Sequence, residues 1–266
     1  MKHIEGTTDC LHYDLIDLTP AWLSEPETII FHHGVGANSE IWTKWLPVLG
    51  PHYRMARFDM RGFGQSASAA RPDRWTFDSL ARDVIRIADT LGVARFHFVG
   101  ESIGGTVGLV LGHQHADRLH SLTLSNAAYR GGAIRQVDEW AKVLREQGPL
   151  AWSRELMPCR FHQDGITAAE WAWFEAQQAS HPVDSIIAAR DILVGADFGP
   201  QLAALTLPVL LLHADGSPFV PVEQMAELHS RLPRSELQIF RHARHGLPFS
   251  HANECANTLR AFLQRL

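Results

Sequence analysis

The chain of 266 residues is short of the features that would name several protein classes at once. It has only three cysteines, Cys10, Cys159 and Cys255, set far apart and without a Cys-x-x-Cys pair, so neither a disulfide framework nor a thiolate zinc site is indicated. It has no excess of positive charge. Against 24 Lys and Arg stand 29 Asp and Glu, a net charge of -5, and no Lys/Arg stripe with interleaved aromatics draws nucleic acid. No run approaches the roughly 18 to 20 uninterrupted apolar residues that cross a bilayer, and the opening M-K-H-I-E-G-T-T-D lacks an apolar signal core. The expectation is a soluble, cytoplasmic protein whose partner is a small-molecule substrate, not nucleic acid or a membrane. Sixteen histidines raise the question of a metal. The tightest groups, His32-His33 and His113-Gln-His115, have no ligand spacing of the H-E-x-x-H kind, and no metal is expected.

What is present is an alternation. Short apolar runs at Thr28 to His33, Arg54 to Phe58, Arg95 to Val99 and Leu119 to Leu124 read as buried strands of a parallel sheet. Between them Phe77, Leu80, Ala81, Val84, Ile87, Ala88 and Leu91 recur at helical spacing, with Gly92 where a helix-ending glycine belongs. Ser39 opens a second helical pattern through Ile41, Trp42, Trp45 and Leu46. From about Tyr129 to Phe198 no strand pattern appears, and four of the eight tryptophans, Trp140, Trp152, Trp171 and Trp173, fall among helix formers broken by Pro149, Pro158 and Pro182. The strand rhythm returns at Leu207 to Leu212 and Glu236 to Phe240, each followed by a helical pattern, Val222 to Leu232 and Ala252 to Leu266. The economical reading is one α/β domain, residues 1–128 and 199–266, with a helical insertion at 129–198.

One stretch carries chemistry: F-V-G-E-S-I-G-G-T at 98 to 106. A G-x-S-x-G segment between a strand and a helix puts Ser102 on a strained turn, and only small residues such as Gly100 and Gly104 fit on either side. The competing reading is a serine that merely caps a helix. A serine hydroxyl needs a base to take its proton and donors for the oxyanion it creates. The glycine-bearing loop H-H-G-V-G-A-N at 32 to 38 offers the Val35 N–H, and the residue after the serine offers the Ile103 N–H.

These segments together resemble the α/β-hydrolase fold over nearly the whole chain. The likeness rests on His33-Gly34-Val35-Gly36, on Asp59-Met60-Arg61-Gly62-Phe63-Gly64-Gln65-Ser66, on the elbow Gly100 to Gly104, and on Arg244-His245-Gly246, in the family's order. The resemblance implies a mostly parallel sheet with helices on both faces, a helical cap inserted after the sixth sheet strand, and a Ser-acid-His order with no cofactor. It makes His245 the base, with His242 and His251 as rivals. Asp59, Arg61 and Ser66 read as holding a loop, without chemistry.

The orienting acid stays open. Aligning Pro218, Val220 and Pro221 with the family's G-x-x-D-x-x-V-P pattern puts Ser217 where the carboxylate belongs, and Asp215 stands two residues earlier. Asp215 is the first candidate; Asp191 or Asp197 from the insertion, or Ser217 itself, are the others. The alternative acid position offers only Ser125 and Asn126. Glu101 reads as an acid favoured near a helix N-terminus. The expected chemistry is acyl transfer from Ser102 to water on an ester or lactone, with Arg130, Trp140 and Phe219 as substrate-binding candidates and Arg135 and Arg190 as further cationic ones. Residues 122 to 132 are similar to 3-oxoadipate enol-lactonases. The alternatives are a C–C bond hydrolase of ring-cleavage products and a binding protein with a decayed triad.

Overall fold

The structure, a computed structural model, describes residues 2–8, 11–69 and 75–266. Cys10 lies outside them; Cys159 and Cys255 are free thiols. In chain order the elements are β1 Lys2–Thr8, β2 Leu11–Asp17, β3 Thr28–His32, a 3-10 stretch Ser39–Trp45 leading into α1 Leu46–Leu49, β4 Arg54–Phe58, α2 Phe77–Thr90, β5 Phe96–Glu101, α3 Ile103–Gln114 and β6 Leu119–Ser125. There follow α4 Trp140–Glu146, α5 Pro149–Arg160, α6 Ala168–Ala179 and α7 Val183–Val194, then β7 Val209–Ala214, α8 Val222–Arg231, β8 Ser235–Phe240, α9 Leu247–Ser250 and α10 Ala252–Leu263. This is the α/β-hydrolase fold, with the helices α4 to α7 entering after the sixth strand.

The strands form one sheet in the order β1-β2-β4-β3-β5-β6-β7-β8. From β4 to β8 all pairings are parallel, while β1 and β2 add an antiparallel hairpin at the edge. Every residue of β3, β5 and β7 is buried, because helices cover both faces of a sheet built by crossovers. Successive side chains divide between two cores. Ile30, Phe98, Leu122 and Leu211 join the cluster that holds Leu80, Val84 and Ile87 of α2; Phe31, Val99, Leu210 and Leu212 join the one that holds Trp42, Trp45 and, from α10, Leu259 and Phe262.

The helix expected over Thr76 to Leu91 is α2, closed at its start by a reciprocal cap between Thr76 and Ser79 and followed by Gly92 at φ 66°. The segment opened by Ser39 differs from expectation. It is a 3-10 turn capped by Asn38, whose side chain accepts from Glu40 N, while the Ser39 N–H donates to Asp59 Oδ1 at 2.8 Å.

Topology decides where a site can form. The chain steps from β3 outward to β4, then returns across β3 to β5 and continues the other way. The loops after β3 and β5 therefore diverge and leave a crevice at the carboxyl ends of the strands, the position at which open α/β sheets bind ligands.

Candidate active site

Two loops meet at that crevice. β5 ends in Glu101, Ser102 follows with φ 55° and ψ -117°, and α3 begins at Ile103. This backbone conformation is costly for any residue with a side chain. The surrounding glycines are what permit it: a Cβ on Gly100 would stand 2.2 Å from Gly104 O, and one on Gly104 would stand 2.5 Å from His32 O. The turn is held by Ser102 N donating to Ser125 O at 2.8 Å and by Thr106 N donating to Ser102 O at 3.1 Å.

The loop after β3 is fixed by the His33 ring. Its Nε2 accepts from Met60 N at 2.9 Å, so Nδ1 carries the proton and donates to Gly34 O at 2.8 Å; burial pushes the ring's pKa down and keeps it neutral. Asp59 fastens the next loop, its two oxygens accepting from Ser39 N and Gln65 N, both at 2.8 Å, while Ser66 Oγ donates to Asp59 O at 2.8 Å and Arg61 grips Asp83. The D-x-R-G-x-G-x-S block thus ties loops to one another. Among the described residues neither the Val35 nor the Ile103 N–H has a protein acceptor, and both residues flank the crevice.

The late histidine comes to the serine across the sheet. His245 Nε2 lies 3.1 Å from Ser102 Oγ. Its backbone is held from three sides, by Asn126 Nδ2 donating to His245 O at 2.9 Å, by His245 N donating to Cys159 O at 3.2 Å and by Gly246 N donating to Arg160 O at 2.9 Å. Asn126 Oδ1 in turn accepts from Ala214 N at 3.1 Å, so the residue at the alternative acid position joins β6, β7 and the histidine loop. The rivals are elsewhere. His242 is exposed and stacks on His162 at 4.1 Å, and His251 pairs with Ser250 Oγ at 2.9 Å.

The side chain that meets Nδ1 is not the one placed first. His245 Nδ1 lies 3.0 Å from Ser217 Oγ. That oxygen also accepts, at 3.4 Å, from Val220 N and keeps a second lone pair, so it can accept from Nδ1–H in the tautomer whose Nε2 receives the Ser102 proton. The expectation for Asp215 is corrected. Its carboxylate is exposed and accepts from His242 N at 3.0 Å and Ala243 N at 3.1 Å, capping the turn in which His242 takes φ 54°. Two residues of loop separate a backbone clamp from a partner of the imidazole. The insertion carboxylates do not reach in either: Asp191 pairs with Arg190 and Asp197 caps Gly199 N.

A narrow, mostly apolar cavity opens on the pair, lined by Val35, Trp140, Arg160, Phe219, Ser102 and His245 among others. A water-sized sphere finds only about 20 Å³ of room there, little more than one water molecule. Phe219 packs edge-on against the His245 ring at 4.7 Å, and Trp140 against Phe219 at 5.7 Å, so these two predicted side chains do meet the crevice. Arg130 does not. Its backbone bridges to Asp197, and its half-exposed side chain lies over Tyr129 and 4.0 Å from Glu227 on α8. Arg135 is exposed, and Arg190 is committed to Val137 O, Asp138 and Asp191.

The guanidinium in the cavity belongs to Arg160, which the sequence reading passed over. It ends α5, is 3% exposed, donates to Val35 O at 2.6 Å and to Gln178 Oε1, and has no carboxylate within 4 Å among the described residues. A basic residue in the last turn of a helix that precedes Phe161 gives a helix-end signal, not a site signal, which is why the pattern concealed it. Glu101 is also buried, at 2%, with Oε1 3.9 Å from His245 Nε2. Burial pushes its carboxyl up to about 7, against the opposing pull of Arg160 and the Gly34 amide. His245 is driven well below the ordinary histidine value by burial first, then by Arg160 and His213, so it rests neutral.

A serine on a strained elbow at a sheet crevice, with a neutral imidazole at its hydroxyl, places the molecule among the α/β-hydrolases. The chain belongs to the alpha/beta hydrolase fold family, whose model matches residues 27–252. Among relatives, it is 27% identical over 266 residues to "Putative carbamate hydrolase RutD" of Caulobacter vibrioides, covering 97% of each chain. It is 29% identical over 248 residues to the protein of the same name in a Caulobacter species, covering 91% of each. Among solved structures it is similar in fold to the enol-lactonase from Burkholderia xenovorans LB400, with TM-score 0.85, 24% identity and 96% of each chain covered. It is likewise similar to a thermophilic esterase from Thermogutta terrifontis, with TM-score 0.84, 21% identity and coverage of 100% and 99%. No helix among the described residues is long and apolar enough to cross a membrane.

Proposed function

We propose that this protein is a serine hydrolase that cleaves a small ester or lactone through an acyl-enzyme on Ser102. The observation that carries the reading is the 3.1 Å contact between Ser102 Oγ and His245 Nε2, on an elbow that no unstrained turn would form. His245 takes the Ser102 proton as Oγ bonds to the carbonyl carbon, and the Val35 and Ile103 amides receive the oxyanion. The proton passes from His245 to the leaving group. Water, deprotonated by the same imidazole, then attacks the acyl carbon and releases Ser102. Ser217 orients the imidazole as a neutral acceptor.

The narrow cavity favours a small acyl group, and the buried Arg160 guanidinium favours one with an anionic substituent. The relatives named as carbamate hydrolases favour a second reading, a carbamate as the acyl donor; the chemistry at Ser102 is the same, with nitrogen on the carbonyl carbon. The test is a panel of an enol-lactone, aryl esters, carbamates and a vinylogous diketone, offered to wild type and Ser102→Ala. Turnover of a lactone, ester or carbamate that is lost in the variant supports the proposal. Turnover of the diketone alone makes the protein a C–C hydrolase, and turnover of none makes it a binder.

A further inference from the structure

The arrangement around His245 leaves a charge unaccounted for. A histidine base becomes imidazolium in the transition state, and an ionised carboxylate at Nδ1 is the usual counter-charge. Here Nδ1 faces the neutral Ser217 hydroxyl. The other charged or titratable groups facing His245 are Arg160 from α5 and His213 from β7, both of which oppose a positive imidazole, and Glu101 from β5. Protonated His245 and Arg160 would be two cations in one buried site. Among the described residues Glu101 is the only carboxylate within 4 Å of His245.

Glu101 is placed for that task at some cost. Its carboxyl is buried, and neither oxygen accepts a hydrogen bond of good geometry. Room is made for it by Gly34, since a Cβ there would fall 1.9 Å from Glu101 Oε2. The Gly34 amide lies on the Oε2 side of the carboxyl, while Oε1, 3.9 Å from Nε2, faces the imidazole edge that meets Ser102.

We infer that Glu101 is a positioning residue which supplies, from the Nε2 side of His245, the negative charge that position 217 lacks. The inference rests on the serine-hydrolase reading. Glu101 exchanges no proton in the cycle: the proton travels from Ser102 Oγ to His245 Nε2 and on to the leaving group, while the carboxylate holds the imidazolium against Arg160. Burial sets the ionisation of Glu101 near neutrality, so the device is active above about pH 7 and fades below it.

The experiment measures kcat/KM for para-nitrophenyl acetate from pH 5.5 to 8.5, read at a wavelength insensitive to product ionisation, with fluorophosphonate inactivation rates as a second readout. Four proteins are compared: wild type, Glu101→Gln, Ser217→Asp and the double variant. Wild type should rise about tenfold to a hundredfold through a midpoint near 7. Glu101→Gln should sit at the low plateau throughout, and the same substitution should cost no more than about threefold in the Ser217→Asp background, where a carboxylate already serves Nδ1. A flat wild-type profile, an unmoved limb in Glu101→Gln, or an equal cost in both backgrounds would overturn the inference. A flat wild-type profile overturns the inference even if Glu101→Gln fails to fold. Loss of all Ser102 labelling in wild type would instead sink the hydrolase reading itself.

Discussion

Replacing Ser217 by Ala removes the one side-chain oxygen that meets His245 Nδ1 among the described residues, while leaving Ser102, Arg160 and Glu101 in place. In the ground state the lost bond joins two neutral groups and is worth about 1 kcal/mol. In the transition state the donor is imidazolium, and a hydrogen bond to a charged group is worth about 1.5 to 3 kcal/mol. The difference, about 0.5 to 2 kcal/mol, is what kcat registers, and at about 1.4 kcal/mol per factor of ten kcat should fall about twofold to thirtyfold, well short of the roughly ten-thousand-fold loss that follows removal of a triad carboxylate. Asp215→Asn is the control. Its carboxylate serves the His242 and Ala243 amides, and asparagine keeps one acceptor, so kcat should stay within about threefold while stability drops by about 1 kcal/mol. The assay is steady-state hydrolysis of an activated ester beside thermal unfolding. If Asp215→Asn costs about a thousandfold or more and Ser217→Ala costs nothing, the geometry assigned to this loop is wrong.

Further outcomes follow from the same contacts. Because the folded-state pKa of Glu101 is raised from 4.5 to about 7, the folded protein binds the proton more tightly than the unfolded chain, and stability falls as pH rises through that window, by on the order of 3 kcal/mol. Glu101→Gln should therefore unfold at a higher temperature than wild type at pH 8, with the difference shrinking toward pH 4.5; a difference that does not change with pH removes the carboxyl as its source. Arg160→Met should raise KM for a carboxylate-bearing ester at least tenfold more than for its neutral methyl analogue. An equal loss on both would assign the guanidinium to holding Val35 O alone.

Much of the frame was readable because parallel strands buried on both faces write continuous apolar runs, as in T-I-I-F-H and V-L-L-L-H-A. The edge hairpin β1–β2 escaped notice: a segment such as K-H-I-E-G-T-T carries too little apolar periodicity to announce a strand, and pairing with β4 supplies what the pattern does not. At the site, motif spacing indicated Ser102 and His245, whose positions depend on how loops leave strands. The partner of Nδ1 was left open because Asp215 and Ser217 share one loop, and the path of the backbone decides which side chain turns inward. Glu101 was read only as an acid favoured near a helix N-terminus, and Arg160 carried no site signal. A charge becomes significant by being buried, and burial at these positions is produced by the packing of α5 over the β3 and β5 loops.

Intact-mass measurement after incubation with a fluorophosphonate reports most directly on whether Ser102 is an activated nucleophile. The account predicts one adduct per chain at mildly alkaline pH, absent in Ser102→Ala and slowed by at least a hundredfold in His245→Ala. An unmodified wild-type chain, or an adduct that survives in Ser102→Ala, would contradict it.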